Sequence, residues 1–164
     1  IAGDQLNEAV VKYMRRKHNL LVGERTAEEI KINIGTAIVT PETQSSMDIR
    51  GRDLVSGLPK TLTIQASEIR EALDEPIYKI IEAVKNTLEK TPPELAADVM
   101  DHGIMMTGGG ALLTNLDKLL SKETGMPVLV SEDALSCVGE GTGKSLENIG
   151  LLKRVVMTSK KLRQ

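Results

Sequence analysis

The chain has 164 residues, a formal net charge of −2, a hydrophobic fraction of 40% and a charged fraction of 27%, which is ordinary for one globular domain or for two small lobes. Its aromatic residues are two tyrosines, so it lacks the rings on which single-stranded nucleic acids stack, and its charge lacks the basic field that duplex binding requires. We therefore predict no nucleic-acid partner. A single cysteine, Cys137, excludes a disulfide within the chain and a cysteine metal cluster, and it fits a reducing compartment.

Targeting signals are not visible in the sequence. No apolar run approaches the roughly 18 residues that a membrane-spanning helix needs, and no signal peptide is visible in this sequence. The chain starts at Ile1 and opens directly into a helical pattern, so we expect it to be a piece of a longer protein. His18 and His102 stand far apart in polar surroundings, which predicts two surface residues.

The first part of the chain predicts two helices and a small sheet. Apolar residues recur at helical spacing over residues 4–18, with Asp4 as the N-cap. After a break at residues 19–23, a capping box that starts at Thr26 opens a short helix through Ile34 to Gly35. Alternating and β-branched residues then predict a meander of strands, at 36–40, 47–50 and 61–64.

The second part predicts helices around a parallel pair of strands. A long helix is capped by Ser67, extends through Leu88 and is kinked or split by Pro76. A further capping box at residues 91–94 opens a short helix that ends at Met100. Strands at 104–106 and 128–130 enclose a helix over 115–124, and a last helix covers 142–155. Strands that lie about one helix apart predict a parallel crossover.

Three consecutive glycines stand between the first of these strands and the helix that follows it. Residues 107–111 read Thr-Gly-Gly-Gly-Ala, so the backbone turns sharply there without side chains in the way. Such a turn lets the main chain lie against a nucleobase or a phosphate. The same sequence is also compatible with a tight turn that binds no ligand.

A second candidate is the pair Glu28 and Lys31, which lie three residues apart and therefore share one face of their helix. Most such pairs are solvated surface charges. A phosphate-loop interpretation of residues 139–145 fails, because the Walker pattern requires a glycine where Val138 stands, and a helix packed closely through small residues explains this segment better. No catalytic triad or nucleophile elbow is present.

Five segments in the same order resemble the MreB family of bacterial actin-like proteins. They are GERTAEEIK at 23–31, IRGRDL at 49–54, GLPKT at 57–61, TPPELAAD at 91–98 and TGGGALL at 107–113. The resemblance extends over nearly the whole chain, to about residue 149. It implies an α/β, actin-like ATPase fold of the ribonuclease-H-like type, with only the second of its two lobes present. Residues 1–67 would form an inserted α+β outer subdomain, and residues 68–164 the inner subdomain with the hinge-crossing C-terminal helix.

The resemblance also implies a nucleotide site. In the family, the helix with the Glu-x-x-Lys pair holds the sugar and base, and the triple-glycine turn lies along the adenosine and α-phosphate. This assigns Glu28 and Lys31 to the ribose and adenine, and Gly108, Gly109, Gly110 and Ala111 to the nucleotide. The cofactor would be ATP, with Mg²⁺ bound mainly by the absent half. Because the catalytic carboxylate and phosphate hairpins belong to that half, the chain alone is not expected to hydrolyse ATP.

The implied function is that of the C-terminal half of a filament protein which polymerises with ATP under the cell membrane and controls rod shape and cell-wall synthesis. Implied partners are further copies of the protein, a RodZ-type membrane adaptor and cell-wall elongation proteins. The protein would be cytoplasmic, at the inner face of the membrane, and attached through the absent half. Two alternatives stay open: the adenosine-binding lobe of a sugar kinase or chaperone in the same superfamily, and a free-standing protein-interaction domain.

Overall fold

The computed structural model describes residues 3–152, without the side chain of Leu151. Within this range the chain forms eight helices and five strands. The helices are α1 (Gly3–His18), α2 (Glu24–Ile34), α3 (Ala66–Ala72), α4 (Asp74–Glu89), α5 (Pro93–His102), α6 (Leu116–Thr124), α7 (Cys137–Glu147) and α8 (Ile149–Leu152). The strands are β1 (Leu20–Leu21), β2 (Ser46–Asp53), β3 (Pro59–Gln65), β4 (Ile104–Met106) and β5 (Val128–Val130), and a 3-10 helix covers Gly109–Leu112.

The first two helices begin earlier than the sequence predicts. Helix α1 starts at Gly3, and Asp4 lies in its first turn rather than at its N-cap. Helix α2 starts at Glu24 after Gly23, so the capping box predicted at Thr26 is wrong. The apolar faces are as predicted, because α1 buries Val10 and Met14 at a spacing of one helical turn.

The meander is an antiparallel sheet in the order β1–β2–β3. Strands β2 and β3 pair from Ser46 with Gln65 to Arg52 with Pro59, and β1 pairs with the end of β2. The sequence pattern missed the short β1. The strand predicted at 36–40 is wrong, because only Thr36 forms a bridge there, and its partner is Thr114.

Proline splits the long helix as predicted. Helices α3 and α4 meet at Leu73, which is the C-cap of one and the N-cap of the other. Pro76 has no N–H for the Ala72 carbonyl and its ring would collide with that carbonyl in a continuous helix. The predicted cap at Ser67 is wrong, since Gln65 caps α3 through a reciprocal box with Glu68.

Strands β4 and β5 are parallel, in register from Ile104 with Val128 to Met106 with Val130, which confirms the predicted crossover through α6. Each strand exposes its middle residue: Met105 and Leu129 are 60% and 50% exposed. Helix α5 begins at Pro93 after Pro92, without the side-chain cap predicted at Thr91.

The last helices differ most from the prediction. Helix α7 begins at Cys137, five residues before the predicted start, and ends at Glu147, and α8 follows at once. Gly139, Gly141 and Gly143 face open space, so the closely packed helix expected there is wrong for the described chain. Residues 153–155 of the predicted helix lie outside the described residues.

The hydrophobic core joins α1, α2, the three-stranded sheet and α3 to α4 and α6. Helices α5 and α7 bury no residue completely. Fully burying one Leu or Ile stabilises the fold by about 1.5–3 kcal/mol. Because most buried apolar residues lie between Leu6 and Ile81, the first half of the chain supplies most of the stability. The largest of the fully buried side chains are Val10, Met14, Leu20, Ile30, Thr36, Ile64, Ile69, Leu73 and Ile77. Between residues 3 and 152, none of the helices is both long enough and apolar enough to cross a bilayer.

Candidate functional site

The triple-glycine segment forms a turn followed by one turn of 3-10 helix. Gly108 has φ +81° and ψ 166°, a conformation that residues with a side chain rarely adopt. Its N–H donates to the Ala134 carbonyl at 2.7 Å, which fixes the turn to the loop after β5. Gly109 and Gly110 are exposed, and a Cβ added at Gly110 would meet no atom within 4 Å. This stretch of main chain is therefore open to a ligand.

Ala111 differs from the three glycines in its exposure. Its side chain is 6% exposed and packs into the protein, while its N–H donates to the Gly108 carbonyl at 3.1 Å. Ala111 can therefore contribute only its backbone to a ligand, and its methyl group holds the turn against the core.

Helix α2 presents the two predicted polar residues. Glu28 is exposed and Lys31 is half-buried. The Lys31 Nζ lies 3.5 Å from the position that a Cβ would take on Gly3, so its ammonium group lies at the start of α1. Ile30, between them in sequence, is completely buried and fixes the orientation of the helix. The carboxylate of Glu28 can accept hydroxyl hydrogen bonds, and the aliphatic part of Lys31 can cover an apolar ring face.

The structure connects these two groups of residues through the chain that leaves α2. The Ala37 N–H donates to the Thr114 carbonyl at 2.8 Å, and Thr36 and Thr114 form a parallel bridge. Thr114 is two residues past the 3-10 helix. The C-terminal end of α2 and the end of the glycine turn are therefore bonded to each other, although 78 residues separate Thr36 from Thr114.

Three grooves of the described chain lie elsewhere and have volumes of about 380, 420 and 420 Å³. They lie between α1 and the α3–α4 junction, beside the first turns of α1 and α2, and between α4 and α6. None of these three is lined by Glu28, Lys31 or the glycine turn. Because Glu28, Gly109 and Gly110 are exposed, the candidate site lies on the surface of the described chain.

The histidines and the cysteine are not part of this surface. His102 is exposed, as predicted, but the prediction for His18 is wrong, since it is half-buried and its Nε2 lies 2.9 Å from the Glu68 carboxylate. Cys137 is partly exposed. Within residues 3–152, no cluster of three or more histidine, cysteine or acidic side chains is arranged to hold a metal ion.

Solved structures with the same fold are actin-like proteins. The crystal structure of MreB5 of Spiroplasma citri bound to ADP superposes with a TM-score of 0.86 at 42% identity, over 91% of this chain and 45% of that one. The same protein bound to AMPPNP matches with a TM-score of 0.86 at 39% identity, over 95% of this chain and 47% of that one. The double helical filament of MamK has a TM-score of 0.65 at 21% identity, over 81% of this chain and 40% of that one, and shares the fold alone. The fold is therefore α/β and actin-like.

Sequence comparison identifies the family within this class. The family model described as MreB/Mbl protein matches residues 1–154. The chain is 48% identical to the cell shape-determining protein Mbl of Bacillus subtilis over 94% of its own length and 46% of that protein. It is 50% identical to the cell shape-determining protein MreB of Escherichia coli K12, over 92% and 43% respectively. The chain belongs to the MreB/Mbl family and spans less than half the length of these relatives.

The family prediction is confirmed, and so is the actin-like α/β fold. The assignment to a second lobe, the division at residue 67 and the six site residues stay predictions. Sequence reasoning missed the residues that join α2 to the glycine turn, Thr36 and Asn115. Asn115 has a local signal in the sequence, because it stands directly before a helix and asparagine tolerates a positive φ. Thr36 has no such signal.

Proposed function

We propose that this chain is the adenosine-side half of an MreB-like protein that binds ATP, assembles into filaments and determines cell shape. The observation that carries the proposal is the bonded junction between α2 and the glycine turn, Ala37 N–H to the Thr114 carbonyl at 2.8 Å. It holds a helix with exposed polar groups beside a main-chain surface without side chains. A nucleotide offers hydroxyl groups to the first and a flat ring or a phosphate to the second.

Each residue has a distinct role in this proposal. Glu28 accepts hydrogen bonds from the ribose hydroxyls, and the Lys31 side chain covers the adenine. Gly108, Gly109, Gly110 and the backbone of Ala111 lie along the adenosine and the α-phosphate, where a larger side chain would keep the ligand away. Mg²⁺ and the hydrolytic water are held mainly by groups outside this chain. The MreB5 structures bound to ADP and AMPPNP support this proposal.

The assembled protein, in this proposal, lies in the cytoplasm at the inner face of the cell membrane. It associates with further copies of itself, with a RodZ-type membrane adaptor and with cell-wall elongation proteins. Residues 1–67 form the outer subdomain of the second lobe and residues 68–164 the inner subdomain. The curated names of the Mbl and MreB relatives support the role in cell shape.

The test is the equilibrium binding of a fluorescent ATP analogue to the whole protein that contains this chain. We expect Glu28→Gln to weaken binding about tenfold, because a hydrogen bond to a charged group contributes roughly 1.5–3 kcal/mol. The control is Glu29→Gln, next on the same helix, where the exposed carboxylate pairs with Arg25 at 3.2 Å. Its affinity for ATP should not change.

A second variant tests the glycine turn. Gly110→Ala places a methyl group in open space, so the fold tolerates it, but the group stands where the nucleotide would lie. We expect weaker ATP binding, with Gly143→Ala in α7, also in open space, as the control. Unchanged affinity in both Glu28→Gln and Gly110→Ala would overturn the assigned site.

Sedimentation with and without ATP tests the assembly. The wild-type protein should pellet with ATP. A protein that binds ATP without ever pelleting would contradict the proposed assembly into filaments.

A further inference from the structure

We propose that Thr36 and Asn115 are positioning residues that set the distance and angle between the ribose-binding helix and the glycine turn. The inference rests on the proposed nucleotide site. Neither residue is expected to touch the ligand. Their contribution is to keep the two halves of the site in one fixed arrangement.

The two side chains form a buried polar cluster between α2 and α6. Thr36 is 1% exposed and Asn115 is 9% exposed. The Thr36 hydroxyl lies 2.6 Å from the Ile38 carbonyl and 3.2 Å from the Thr114 carbonyl. The Asn115 side-chain amide donates to the same Ile38 carbonyl at 3.1 Å and lies 3.5 Å from the Thr36 hydroxyl. Each group therefore has a partner, as buried polar groups require.

The position of the cluster connects it to both parts of the site. Thr36 follows the last residue of α2 by two positions, and Asn115 follows the last residue of the 3-10 helix by three. The Leu113 N–H donates to the Gly110 carbonyl at 3.3 Å, so the glycine turn is bonded directly to the segment that Asn115 ends. A displacement of the cluster would move the turn relative to Glu28.

Backbone geometry strengthens the assignment. Asn115 has φ +61° and ψ 15°, a left-handed conformation that asparagine adopts more readily than most residues with a side chain. In this conformation the chain reverses before α6 while the side chain reaches back to Ile38. The opposite end of the turn is held by the hydrogen bond from the Gly108 N–H to the Ala134 carbonyl. The exposed glycines therefore lie between two hydrogen-bonded positions, Gly108 and Asn115.

Helix α3 supports the cluster from a third side. The Arg70 Nε donates to the Ala37 carbonyl, and Arg70 also pairs with Asp74. The segment after α2 is thus bonded to the glycine-turn segment through Thr114 and to α3 through Arg70. It has little freedom to shift when a ligand binds, which is how a site is held ready for its ligand.

The experiment measures the affinity of the whole protein for ATP and for 2′-deoxy-ATP. The discrimination ratio is the affinity for ATP divided by the affinity for 2′-deoxy-ATP. It reports whether Glu28 reaches the ribose hydroxyls while the glycine turn holds the rest of the nucleotide. We expect Thr36→Val, which keeps the shape and removes the hydroxyl, to lower ATP affinity about tenfold, the size of one or two lost hydrogen bonds. The ratio of the two affinities should fall towards one.

Two further variants separate positioning from stability. Thr36→Ser restores the hydroxyl and should restore the discrimination ratio. Asn115→Gly keeps the left-handed backbone but removes the amide, and should lower the ratio as Thr36→Val does. The control is Thr124→Val, because the Thr124 hydroxyl donates to the Leu120 carbonyl at 2.7 Å within α6 and does not link the two parts of the site.

The outcomes distinguish this inference from the proposed function. If the wild-type protein binds neither nucleotide, the proposed function fails. If the wild type discriminates and Glu28→Gln abolishes the discrimination, but Thr36→Val and Asn115→Gly keep the wild-type ratio, the proposed site stands and the positioning role is wrong. An equal fall in the ratio for Thr124→Val would also overturn it, since a general loss of stability would then be sufficient.

Discussion

The phenol of Tyr13 on α1 donates a hydrogen bond to the Glu71 carboxylate on α3 at 2.6 Å, across 58 positions of sequence. The Lys17 ammonium group donates to both, at 2.6 Å to the phenol oxygen and 2.8 Å to the carboxylate. These bonds lower the pKa of Glu71 below its ordinary value, with Lys17 as the largest cause and Tyr13 as the second. The cluster connects the end of the first helix to the helix that precedes the Pro76 break.

Replacing Tyr13 with phenylalanine should destabilise the protein by about 1 kcal/mol, the usual contribution of one hydrogen bond. The ring itself is 3% exposed and stays packed in the variant. The pKa of Glu71 should rise towards its ordinary value. The measurements are chemical denaturation and an NMR titration of the Glu71 carboxyl group.

Tyr78 supplies the matched control, because its side chain is 65% exposed. Tyr78→Phe should leave the free energy of unfolding unchanged. Equal destabilisation by both substitutions would contradict a specific role for the Tyr13 hydroxyl.

The lowered pKa of Glu71 also makes the stability of the protein depend on pH. Glu71 stabilises the fold at pH values above the ordinary glutamate pKa, and this contribution is lost as the pH falls through the lowered value.

Two isoleucines on α2 provide a second test, of how the site-bearing helix is anchored. Ile30 is completely buried and Ile32 is 69% exposed on the same helix. Ile30→Ala should destabilise the protein by about 2–5 kcal/mol, through lost burial and the cavity left behind. Ile32→Ala should change stability by less than about 0.5 kcal/mol. Thermal or denaturant unfolding measures both, and similar losses would show that α2 packs differently.

Features fixed by a few neighbouring residues could be predicted from the sequence. The break before α4 follows from the missing N–H and the ring of Pro76, and the end of α6 at Gly125 follows from a glycine with φ +70°. The β2–β3 hairpin follows from alternation on both sides of a turn. The family, and through it the fold, follows from motifs that are specific as a set.

Features that depend on distant partners could not be predicted. Strand β1 has only two residues, and it forms because they pair with the backbone of Arg52 and Asp53 on β2. The alternating residues 36–40 predicted a strand, but Thr36 bonds to Thr114 and Ile38 accepts from Asn115 instead. The same long-range bonds join the two parts of the candidate site, so the sequence could indicate its residues but not their arrangement.

Gly103 provides a third test, between α5 and β4. Its φ is +79°, and an added Cβ would lie 2.7 Å from the Pro127 carbonyl oxygen. The same Pro127 carbonyl accepts a hydrogen bond from the Ile104 N–H at 2.7 Å. Gly103 and Pro127 therefore lie next to each other where the paired strands β4 and β5 begin. The ψ of −173° places Gly103 in a region that is almost restricted to glycine. Gly103→Ala should therefore destabilise the protein by more than the roughly 1–3 kcal/mol that such a backbone conformation alone costs.

The control for this substitution is Gly143→Ala, at an exposed helical position where a Cβ meets no atom within 4 Å. It should be neutral or stabilise by up to about 1 kcal/mol, since alanine favours helices more than glycine does. Denaturant unfolding of both variants decides the matter. A tolerated Gly103→Ala would mean that β4 and β5 do not approach each other as described.

The last test concerns the tip of the β2–β3 hairpin, which Asp53 holds in shape. Its carboxylate accepts from the N–H of Ser56 at 2.9 Å and of Val55 at 2.8 Å, and lies 3.0 Å from the Lys60 ammonium group. These contacts lower the pKa of Asp53 to about 2, with the Ser56 N–H as the largest cause, followed by Lys60. The tip should therefore keep its structure at any pH well above the ordinary aspartate pKa and lose this support as the pH falls towards about 2.

Hydrogen exchange of the Val55 and Ser56 amides measures this support residue by residue. Asp53→Asn retains an oxygen acceptor for both amides but not the charge that pairs with Lys60, so protection should fall partly and lose its dependence on pH in this range. Asp53→Ala removes the acceptor and should expose both amides fully. Val55 is 83% exposed, so the tip itself packs little against the core. Strong protection of both amides in Asp53→Ala would show that the backbone bonds from Asp53 to Leu58 and Gly57 hold the tip without the carboxylate.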